Sequence, residues 1–392
     1  MKIAYISPIF YSDVDISYLS ELRKIPEAEI FYFIPIGPLK KSAAINIDNI
    51  YPHRGIFQAS IYPELSRFAD IIDLNHTYVI NRTSAHSSYP ENIMVYIKLV
   101  WMLKRIGVDV VHISSFLSYT EFPLFLLRKK IILSVHDPLP HADVEKSWRD
   151  QIQRKISFRL LDNFVIFNSA QENSFIEKYN LKNKRIYISS LSSYTYLRIY
   201  DTLPSTNEYG DYILFFGWIR KGKGVEILLE AMKKVHEVYP DLNLIIAGKG
   251  AFYFDASSYI SLDYIYFLNR FIPDIELVHL VSNSLFVVCP YTEATQSGVV
   301  MTSYACSKPV VVTDVGGLPE MVDNDRYGIV AQSLSVEALK ESILKMLSEP
   351  NLISTLKKNI NNDYNFGVRS WLYIANKVYN ELYKIVASHD KK

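Results

Sequence analysis

Short apolar runs alternate with segments of helical periodicity along almost the whole chain, and this alternation constrains the fold more than any other feature. Many of the runs are continuous stretches of Ile, Val, Leu and Phe, as is typical of strands whose sheet is covered on both faces. Residues 224–237 show the helical pattern, with Val225, Leu228 and Met232 at spacings of three and four. Such alternation predicts parallel sheets with right-handed crossovers. The predicted strands are 2–7, 29–35, 109–113, 130–135, 163–168, 212–217, 242–247, 284–289 and 309–313.

The domain organisation follows from length and from one polar break. A chain of 392 residues favours two α/β domains. Residues 201–210 are polar, contain Pro and Gly, and separate two strand–helix series, so we predict an N-terminal domain at 1–202 and a C-terminal domain at 203–367. Residues 368–392 are predicted to form a closing helix packed on the N-terminal domain, with an apolar face of Trp371, Ile374, Val378, Leu382 and Ile385. Residues 40–90 do not fit the alternation and are interpreted as an irregular insertion.

Composition excludes several classes of protein. Lys and Arg total 42 against 41 Asp and Glu, a balance that argues against bulk attraction to nucleic acid. Two cysteines, Cys289 and Cys306, provide no disulfide or metal framework, which suits a reducing cytoplasm. The N-terminus has the pattern of a first strand rather than of a signal peptide. Since no apolar run approaches the roughly 18–20 residues of a membrane span, we expect a cytoplasmic protein whose membrane contact, if any, is peripheral on the inner face.

The segment that follows the predicted strand at 212–217 has the residues of an anion site. Gly217 to Gly224 read Gly-Trp-Ile-Arg-Lys-Gly-Lys-Gly, and a predicted helix begins directly afterwards. Glycines allow close approach of the backbone, while Arg220, Lys223 and a helix N-terminus favour an anion. Two other interpretations exist. The segment can be a solvated basic turn, or a nucleoside triphosphatase phosphate loop, although that loop requires Ser or Thr where Gly224 stands.

A second candidate segment follows the strand at 284–289. Pro290 ends the strand, Glu293 follows, and a polar run then begins another helix. A carboxylate can accept hydrogen bonds from sugar hydroxyls, and the start of a helix attracts phosphate. The simpler interpretation makes Thr295 or Ser297 a helix cap, which is compatible with anion binding. The candidate phosphate- and sugar-binding residues of this run are Thr295, Gln296, Ser297 and Gly298.

Residues 290–322, PYTEATQSGVVMTSYACSKPVVVTDVGGLPEMV, resemble the donor-binding signature of the family-four retaining glycosyltransferases, which have the GT-B fold. FFGWIRKGKGVEILLEA and LNLIIAGKG occur in the order that the family shows. The resemblance covers residues 210–330 well and the N-terminal half more loosely. It implies two Rossmann-like, doubly wound parallel-sheet domains that face each other across a cleft, with the nucleotide-sugar in the C-terminal domain and the acceptor mainly on the N-terminal one.

The resemblance implies roles for individual residues of this chain. Lys223 matches the lysine that binds the donor diphosphate, and Glu293 matches the first Glu of an E-x7-E motif that holds the donor sugar. His136, in a turn after the strand at 130–135, matches a histidine near the transferred sugar; a purely structural histidine is the alternative. The resemblance implies that Gly217, Gly248 and Arg270 are donor-binding residues.

The chain departs from the family pattern at three places. Met301 stands where the second Glu would fall, and Trp218 replaces the arginine that usually follows the first glycine, so that Arg220 is the expected substitute. The first strand leads into Ser7 and Pro8 without the usual pair of glycines. These departures keep a catalytically silent nucleotide-sugar-binding or scaffold relative open as an alternative.

The reaction expected from these residues is transfer of a sugar from a nucleotide diphosphate to a hydroxyl, with retention, in polysaccharide or glycoconjugate biosynthesis. The leaving diphosphate would be stabilised by cations and backbone N–H groups, so we expect no metal and no cofactor. The acceptor would be a saccharide or a lipid-linked saccharide. A nucleotide-sugar epimerase or a phosphorylase on the same fold is a rival enzyme. Residues 145–162 are either a basic amphipathic helix on an anionic membrane or a domain helix with a charged outer face.

Overall fold

The computed structural model describes residues 1–37, 44–47, 53–82, 90–139, 148–201, 207–294 and 296–389. These residues form two units: Met1–Leu191 together with Trp371–Lys392, and Ser192–Ser370. The sequence predicted boundaries near residues 202 and 367. Residues 202–206, part of the polar break predicted at 201–210, lie outside the described residues. The division falls elsewhere because the segment after Leu191 already packs on the second unit. There, the Tyr194 N–H donates to the Met301 carbonyl (3.2 Å) and the Tyr196 hydroxyl to Asp274 (3.4 Å).

The first unit is built on an eight-stranded sheet in the order β3-β4-β2-β1-β5-β6-β7-β8. Neighbouring strands are parallel except for the edge pair β3 and β4, which is antiparallel. The order reverses between β1 and β5, which makes the sheet doubly wound. The strands are β1 Lys2–Ile6, β2 Glu29–Ile36, β3 Gly55–Gln58, β4 Thr77–Asn81, β5 Val110–Ile113, β6 Ile131–Val135, β7 Asn163–Ile166 and β8 Arg185–Ile188.

Helices cover both faces of this sheet because successive strand residues point to opposite sides. Ala4 and Ile6 of β1 belong to a core that includes Leu99 and Phe158 of two helices on one face. Tyr5 faces the other side, where it lies against Tyr18. The helices are α1 Ser12–Leu22, α2 Glu91–Ile106, α3 Trp148–Leu160 and α4 Glu172–Tyr179, with 3₁₀ segments at Ile9–Tyr11, Ala59–Ile61, Pro63–Phe68, Tyr119–Lys130 and Ser169–Gln171.

The second unit contains a six-stranded parallel sheet in the order β11-β10-β9-β12-β13-β14, the arrangement of a dinucleotide-binding fold. Its strands are β9 Tyr212–Phe216, β10 Asn243–Ala247, β11 Ile265–Leu268, β12 Val287–Cys289, β13 Val310–Thr313 and β14 Gly328–Ala331. Its helices are α5 Val225–His236, α6 Ser257–Ile260, α7 Asp274–Asn283, α8 Gly298–Ala305, α9 Leu318–Val322, α10 Val336–Ser348 and α11 Leu352–Ile360, with a 3₁₀ segment at Thr195–Tyr200 and a π-turn at Asn361–Phe366.

The chain returns to the first unit through α12 Trp371–Val378, a π-helical turn at Tyr379–Tyr383, and α13 Lys384–His389. Trp371 packs edge-on against Tyr18 of α1, with 5.7 Å between ring centroids. The predicted apolar face is wrong at Ile385, which is exposed, whereas Val386 is buried. The wide π-turn adds a residue to the helical period, so the buried position moves by one.

Every predicted strand is present, and the fold class is confirmed: each unit is an α/β unit with a doubly wound, mainly parallel sheet. The interpretation of 40–90 as irregular is wrong in part, because it contains the paired strands β3 and β4. The helix predicted within 145–162 is observed as Trp148–Leu160, and residues 145–147 lie outside the described ranges. None of the helices in the described part of the chain is long and apolar enough to cross a bilayer.

Candidate functional site

Two loops of the second unit leave adjacent strands at the point where strand order reverses. The first loop, residues 217–224, follows β9, and the second loop, residues 290–297, follows β12; Thr295 of the second loop lies outside the described residues. The two strands pair in parallel, Val287 opposite Leu214. Parallel strands end at the same sheet edge, and such a switch point is where open α/β sheets bind ligands.

The two loops are in direct contact. The Thr292 N–H donates to the Gly222 carbonyl (3.0 Å), and the Glu293 side chain lies against Gly222 so closely that a Cβ there would overlap the carboxylate. Gly224 has φ 63°, and a Cβ at that position would overlap the Pro290 carbonyl oxygen. A Cβ at Gly222 would therefore displace the Glu293 side chain, whereas the backbone overlap at Gly224 requires glycine there. The same contact leaves no room for the Ser or Thr that a triphosphatase phosphate loop would need at position 224.

Lys223 lies at the junction of the two loops. Its Nζ is 3.6 Å from the centroid of the buried Tyr291 ring, and the Tyr291 hydroxyl is 3.5 Å from Ser297 Oγ. Within the described residues no carboxylate forms an ion pair with Lys223. Burial lowers the pKa of Lys223; the nearby Cys289 and Glu293 oppose this effect and Arg220 adds to it. The ammonium is thus held by an aromatic face, a cation–π contact that leaves its charge available to a ligand.

Helix α8 begins at the end of the second loop. Ser297 is the N-cap, with an extended backbone and no side-chain capping bond, and Gly298 is the first helical residue. The simpler interpretation of Ser297 as a side-chain cap is therefore wrong. Gln296 is half-buried, and the Tyr194 hydroxyl would lie 3.0 Å from a Cβ at Gly298. The first N–H groups of a helix carry partial positive charge, so this end of α8 adds to the field around Lys223.

Gly217 and Gly248 connect the first loop to the loop after β10. Gly248 has φ 148°, and a Cβ there would overlap the Gly217 carbonyl. The Gly217 N–H donates to the Ala247 carbonyl (2.9 Å) and the Ile219 N–H to that of Lys249 (3.1 Å). Both glycines thus fix the backbone at the site, while the side chains of Arg220 and Trp218 are exposed.

Arg270 stands apart from the loop junction. Its guanidinium forms two hydrogen bonds with Glu276 of α7, at 2.7 and 2.5 Å. This pair raises the pKa of Arg270. The neighbouring Asn269 exchanges hydrogen bonds with the Gly250 backbone (3.0 and 3.1 Å). The described contacts of Arg270 include neither of the two loops, and its role as a donor-binding residue stays a prediction.

Met301, at the position of the expected second Glu, is buried in α8. A thioether in this place offers a ligand only weak polar interactions. The structure thus provides no carboxylate at position 301, and it describes nothing of the candidate Thr295.

In the first unit, His136 directly follows β6 between two aromatic rings. It stacks on Tyr11 with 3.9 Å between centroids and on Phe167 with 4.9 Å. Burial lowers the pKa of His136 to about 4, so its imidazole is neutral near pH 7. A neutral imidazole has one donor and one acceptor nitrogen, which can orient hydroxyl groups but cannot contribute a positive charge.

A buried polar network that sequence reasoning missed lies on the α1 side of the same sheet. His112 is 2.5 Å from the Tyr383 hydroxyl and 2.8 Å from Ser134 Oγ, and the Tyr5 hydroxyl donates to Asp15 (2.8 Å). Burial raises the pKa of Asp15 to about 7 and lowers that of His112 to about 3. Tyr5 and His112 are register partners on β1 and β5, whereas His112 lies opposite Ile132 of β6. Ser134 is two residues further along β6, on the same face of the sheet as Ile132.

Solved structures define the class to which this architecture belongs. Sucrose-phosphate synthase from Thermosynechococcus elongatus is similar over 99% of this chain and 100% of its own, with a TM-score of 0.66 and 17% identity. Anabaena HepE in complex with UDP is similar over 98% of this chain and 100% of its own, with a TM-score of 0.64 and 15% identity. The UDP-GlcNAc 2-epimerase from Neisseria meningitidis gives a TM-score of 0.56 at 15% identity, over 98% and 100% of the two chains. The fold is therefore that of the GT-B proteins.

Sequence relatives narrow this class. Residues 210–349 match the family described as Glycosyl transferases group 1. The uncharacterized glycosyltransferase MJ1178 of Methanocaldococcus jannaschii is 27% identical over 310 residues, 76% of this chain and 77% of that protein. The D-inositol 3-phosphate glycosyltransferase of Corynebacterium aurimucosum is 25% identical over 265 residues, 61% and 62% of the two chains. Residues 210–349 thus match this family, and the predicted resemblance to glycosyltransferases is confirmed.

Proposed function

We propose that this glycosyltransferase moves a sugar from a nucleoside diphosphate onto a hydroxyl of a saccharide or lipid-linked saccharide, with retention and without a metal. The observation that carries the proposal is the junction of the two loops, where Lys223, Glu293 and the start of α8 lie together. We place the reaction in the cytoplasm and in the synthesis of a surface polysaccharide or glycoconjugate.

The diphosphate is assigned to the positive groups of the junction. Lys223 lies over the Tyr291 ring and forms no ion pair within the described residues, and the hydroxyl of the same ring lies 3.5 Å from Ser297, the N-cap of α8. Preorganised positive groups in a partly desolvated site stabilise a leaving anion more effectively than they would in water. Arg220 is exposed on the first loop and is assigned a contact with the outer phosphate oxygens.

The sugar is assigned to Glu293, and the role of His136 near the transferred sugar stays the prediction that the resemblance gives. Glu293 is exposed, and its side chain lies against Gly222, a contact that restricts its conformations. A carboxylate in this position can accept two hydroxyl hydrogen bonds. In the first unit, neutral His136 can donate to or accept from a hydroxyl group. Holding the reactants in one geometry supplies rate through orientation rather than through a covalent intermediate.

In the proposed step, the bond between the anomeric carbon and the diphosphate oxygen breaks, and its electron pair leaves with the diphosphate. The acceptor oxygen forms its bond to the anomeric carbon on the face from which the phosphate departs, which retains the configuration. The acceptor proton moves to an oxygen of the leaving phosphate. Lys223, Arg220 and the α8 N–H groups neutralise the charge that develops there.

The experiment is a transfer assay with radiolabelled nucleotide-sugars and total lipid or saccharide acceptors. UDP is bound in the HepE structure and UDP-GlcNAc in the Neisseria epimerase structure, so uridine diphosphate sugars are the first donors to test. Lys223→Ala should reduce turnover by about a hundredfold or more, since one preorganised charge is lost. Lys221→Ala, an exposed lysine on the same loop, is the matched control and should stay close to wild type.

Retained turnover in Lys223→Ala would contradict the assignment of the diphosphate. Nucleotide-sugar binding without transfer to any acceptor would instead favour a catalytically silent relative. The observation that favours a silent relative is the buried Met301, because this position has no carboxylate to bind a ligand.

A further inference from the structure

Helix α2 carries large apolar side chains on its outer side as well as on its inner side. Its inner residues, such as Leu99 and Leu103, are completely buried in the core of the first unit. On the outer side, Met94, Ile97 and Trp101 recur at spacings of three and four, and Trp101 is 63% exposed. A surface helix ordinarily places polar residues there, so an apolar outer side suggests a second contact.

The same feature continues on two neighbouring segments. Leu126, in the 3₁₀ segment Tyr119–Lys130, is 71% exposed, and Trp148 and Ile152 of α3 are exposed one helical turn apart. The 3₁₀ segment contacts both α2 and α3. All three segments pack inward on one hydrophobic core, so they lie on the same side of the sheet. We call α2, the 3₁₀ segment and α3 together the basic face.

The charge of this face differs from that of the whole chain. Of the chain's 42 Lys and Arg, ten lie on these three segments, but only three of its 41 Asp and Glu do. Two of these thirteen charges, Arg154 and Glu121, are buried. The buried Arg154 guanidinium donates to the Asp137 carbonyl (2.9 Å) and lies over the Phe116 ring, so these contacts stabilise the fold. Lys130 is half-buried and donates to the Val108 carbonyl (2.8 Å). The other cations are exposed on the same three segments as the apolar side chains; they are Lys98, Lys104, Arg105, Arg128, Lys129, Arg149, Lys155 and Arg159.

We propose that the basic face lies on an anionic lipid bilayer. Large apolar side chains would enter the boundary between headgroups and acyl chains, while the long Lys and Arg side chains reach the lipid phosphates. A protein partner fits less well, because interface cores are depleted in lysine. The inference extends the predicted amphipathic helix to a surface of three segments. It does not depend on sugar transfer, so it can fail or stand separately from the proposed function.

The first test is flotation of the full chain with vesicles of phosphatidylcholine alone or with one-third phosphatidylglycerol. The charge variant is Lys98→Glu with Lys104→Glu; both lysines are exposed on α2. The matched control is Lys345→Glu with Lys358→Glu, which changes the net charge equally on exposed helix positions of the second unit. Each cation near an anionic surface contributes to the free energy of binding, so we expect the charge variant to lose at least about tenfold in affinity for the anionic vesicles. The control should bind like the wild type.

A second pair of variants tests the apolar contribution. Trp101→Ser should weaken binding to the anionic vesicles, and Ile260→Ser, an exposed apolar residue of the second unit, should not. Circular dichroism and thermal unfolding establish that all variants are folded. Three results would overturn the proposal: no binding of the wild type to anionic vesicles, equal binding of the charge variant, or a dimer in sedimentation that Trp101→Ser dissociates. The last result would identify the occupant as a second copy of the chain.

Discussion

Tyr291 fixes Lys223 without neutralising it. A carboxylate partner would also hold the ammonium in place, but an incoming phosphate would then have to displace an anion. The aromatic face, 3.6 Å from Nζ, attracts the cation through the ring quadrupole and carries no net charge. The ammonium is thus held in place and keeps its own charge before any ligand arrives.

This role predicts a difference between two substitutions of Tyr291. Tyr291→Leu removes the ring, and we expect affinity for a nucleoside diphosphate to fall by about threefold to thirtyfold, the usual range of a cation–π contact. Tyr291→Phe keeps the ring and should bind within about twofold of wild type. Isothermal titration calorimetry measures both, with thermal unfolding as the check on folding. Equal affinity of the Leu and Phe variants would contradict the role of the ring.

Residue spacing predicted part of the candidate site. The Gly217-to-Gly224 pattern and the carboxylate after Pro290 indicated Lys223 and Glu293, and the structure brings their loops together, although their roles remain predictions. Tyr291 was missed because an aromatic residue after a strand-ending proline has many ordinary explanations. The Glu276 pair of Arg270 could not be foreseen, since it depends on the direction of α7 relative to β11.

At the scale of elements, glycine decides whether the two loops can meet. Gly224 combines φ 63° with a Pro290 carbonyl where a Cβ would stand. Gly210, in the same unit, has a nearly equal φ of 64°, but a Cβ there would meet only Asn243 Nδ2, at 3.7 Å. Substitutions at Gly210 and Gly224 therefore distinguish the cost of the backbone conformation from the cost of steric overlap.

We predict that Gly210→Ala costs about 1–2 kcal/mol from left-handed backbone alone. Gly224→Ala should cost about 1–3 kcal/mol more, because the overlap with the Pro290 carbonyl forces the loops apart. Urea unfolding of the two variants measures the difference. Equal destabilisation would show that the loops do not pack as described.

The strands that sequence reasoning missed are mostly edge strands. β3, β8 and β11 end their sheets, and most of their residues are only half-buried. Such strands need no continuous apolar run, and that run was the signal used to find the others. The π-turn at Tyr379–Tyr383 was also missed, since a helix with a regular 3.6-residue period was assumed through Ile385.

At the scale of the whole molecule, the near equality of positive and negative charges concealed a local excess of positive charge. The count of 42 Lys and Arg against 41 Asp and Glu predicts no bulk attraction to nucleic acid, yet ten of the cations lie on three adjacent segments. Only the fold shows that these segments share one side of a sheet. The division by contacts differs from the predicted boundary for a similar reason, because the contacts of Tyr194 and Tyr196 with the rest of the second unit are tertiary.

The central claim is that the junction of the two loops binds a diphosphate. The most direct measurement compares nucleoside diphosphates with the matching monophosphates by calorimetry, in wild type, Lys223→Ala and Lys221→Ala. We predict that wild type and Lys221→Ala bind the diphosphate at least about tenfold more tightly, and that Lys223→Ala loses this preference. A preference that persists in Lys223→Ala, or that is absent from wild type, would contradict the claim.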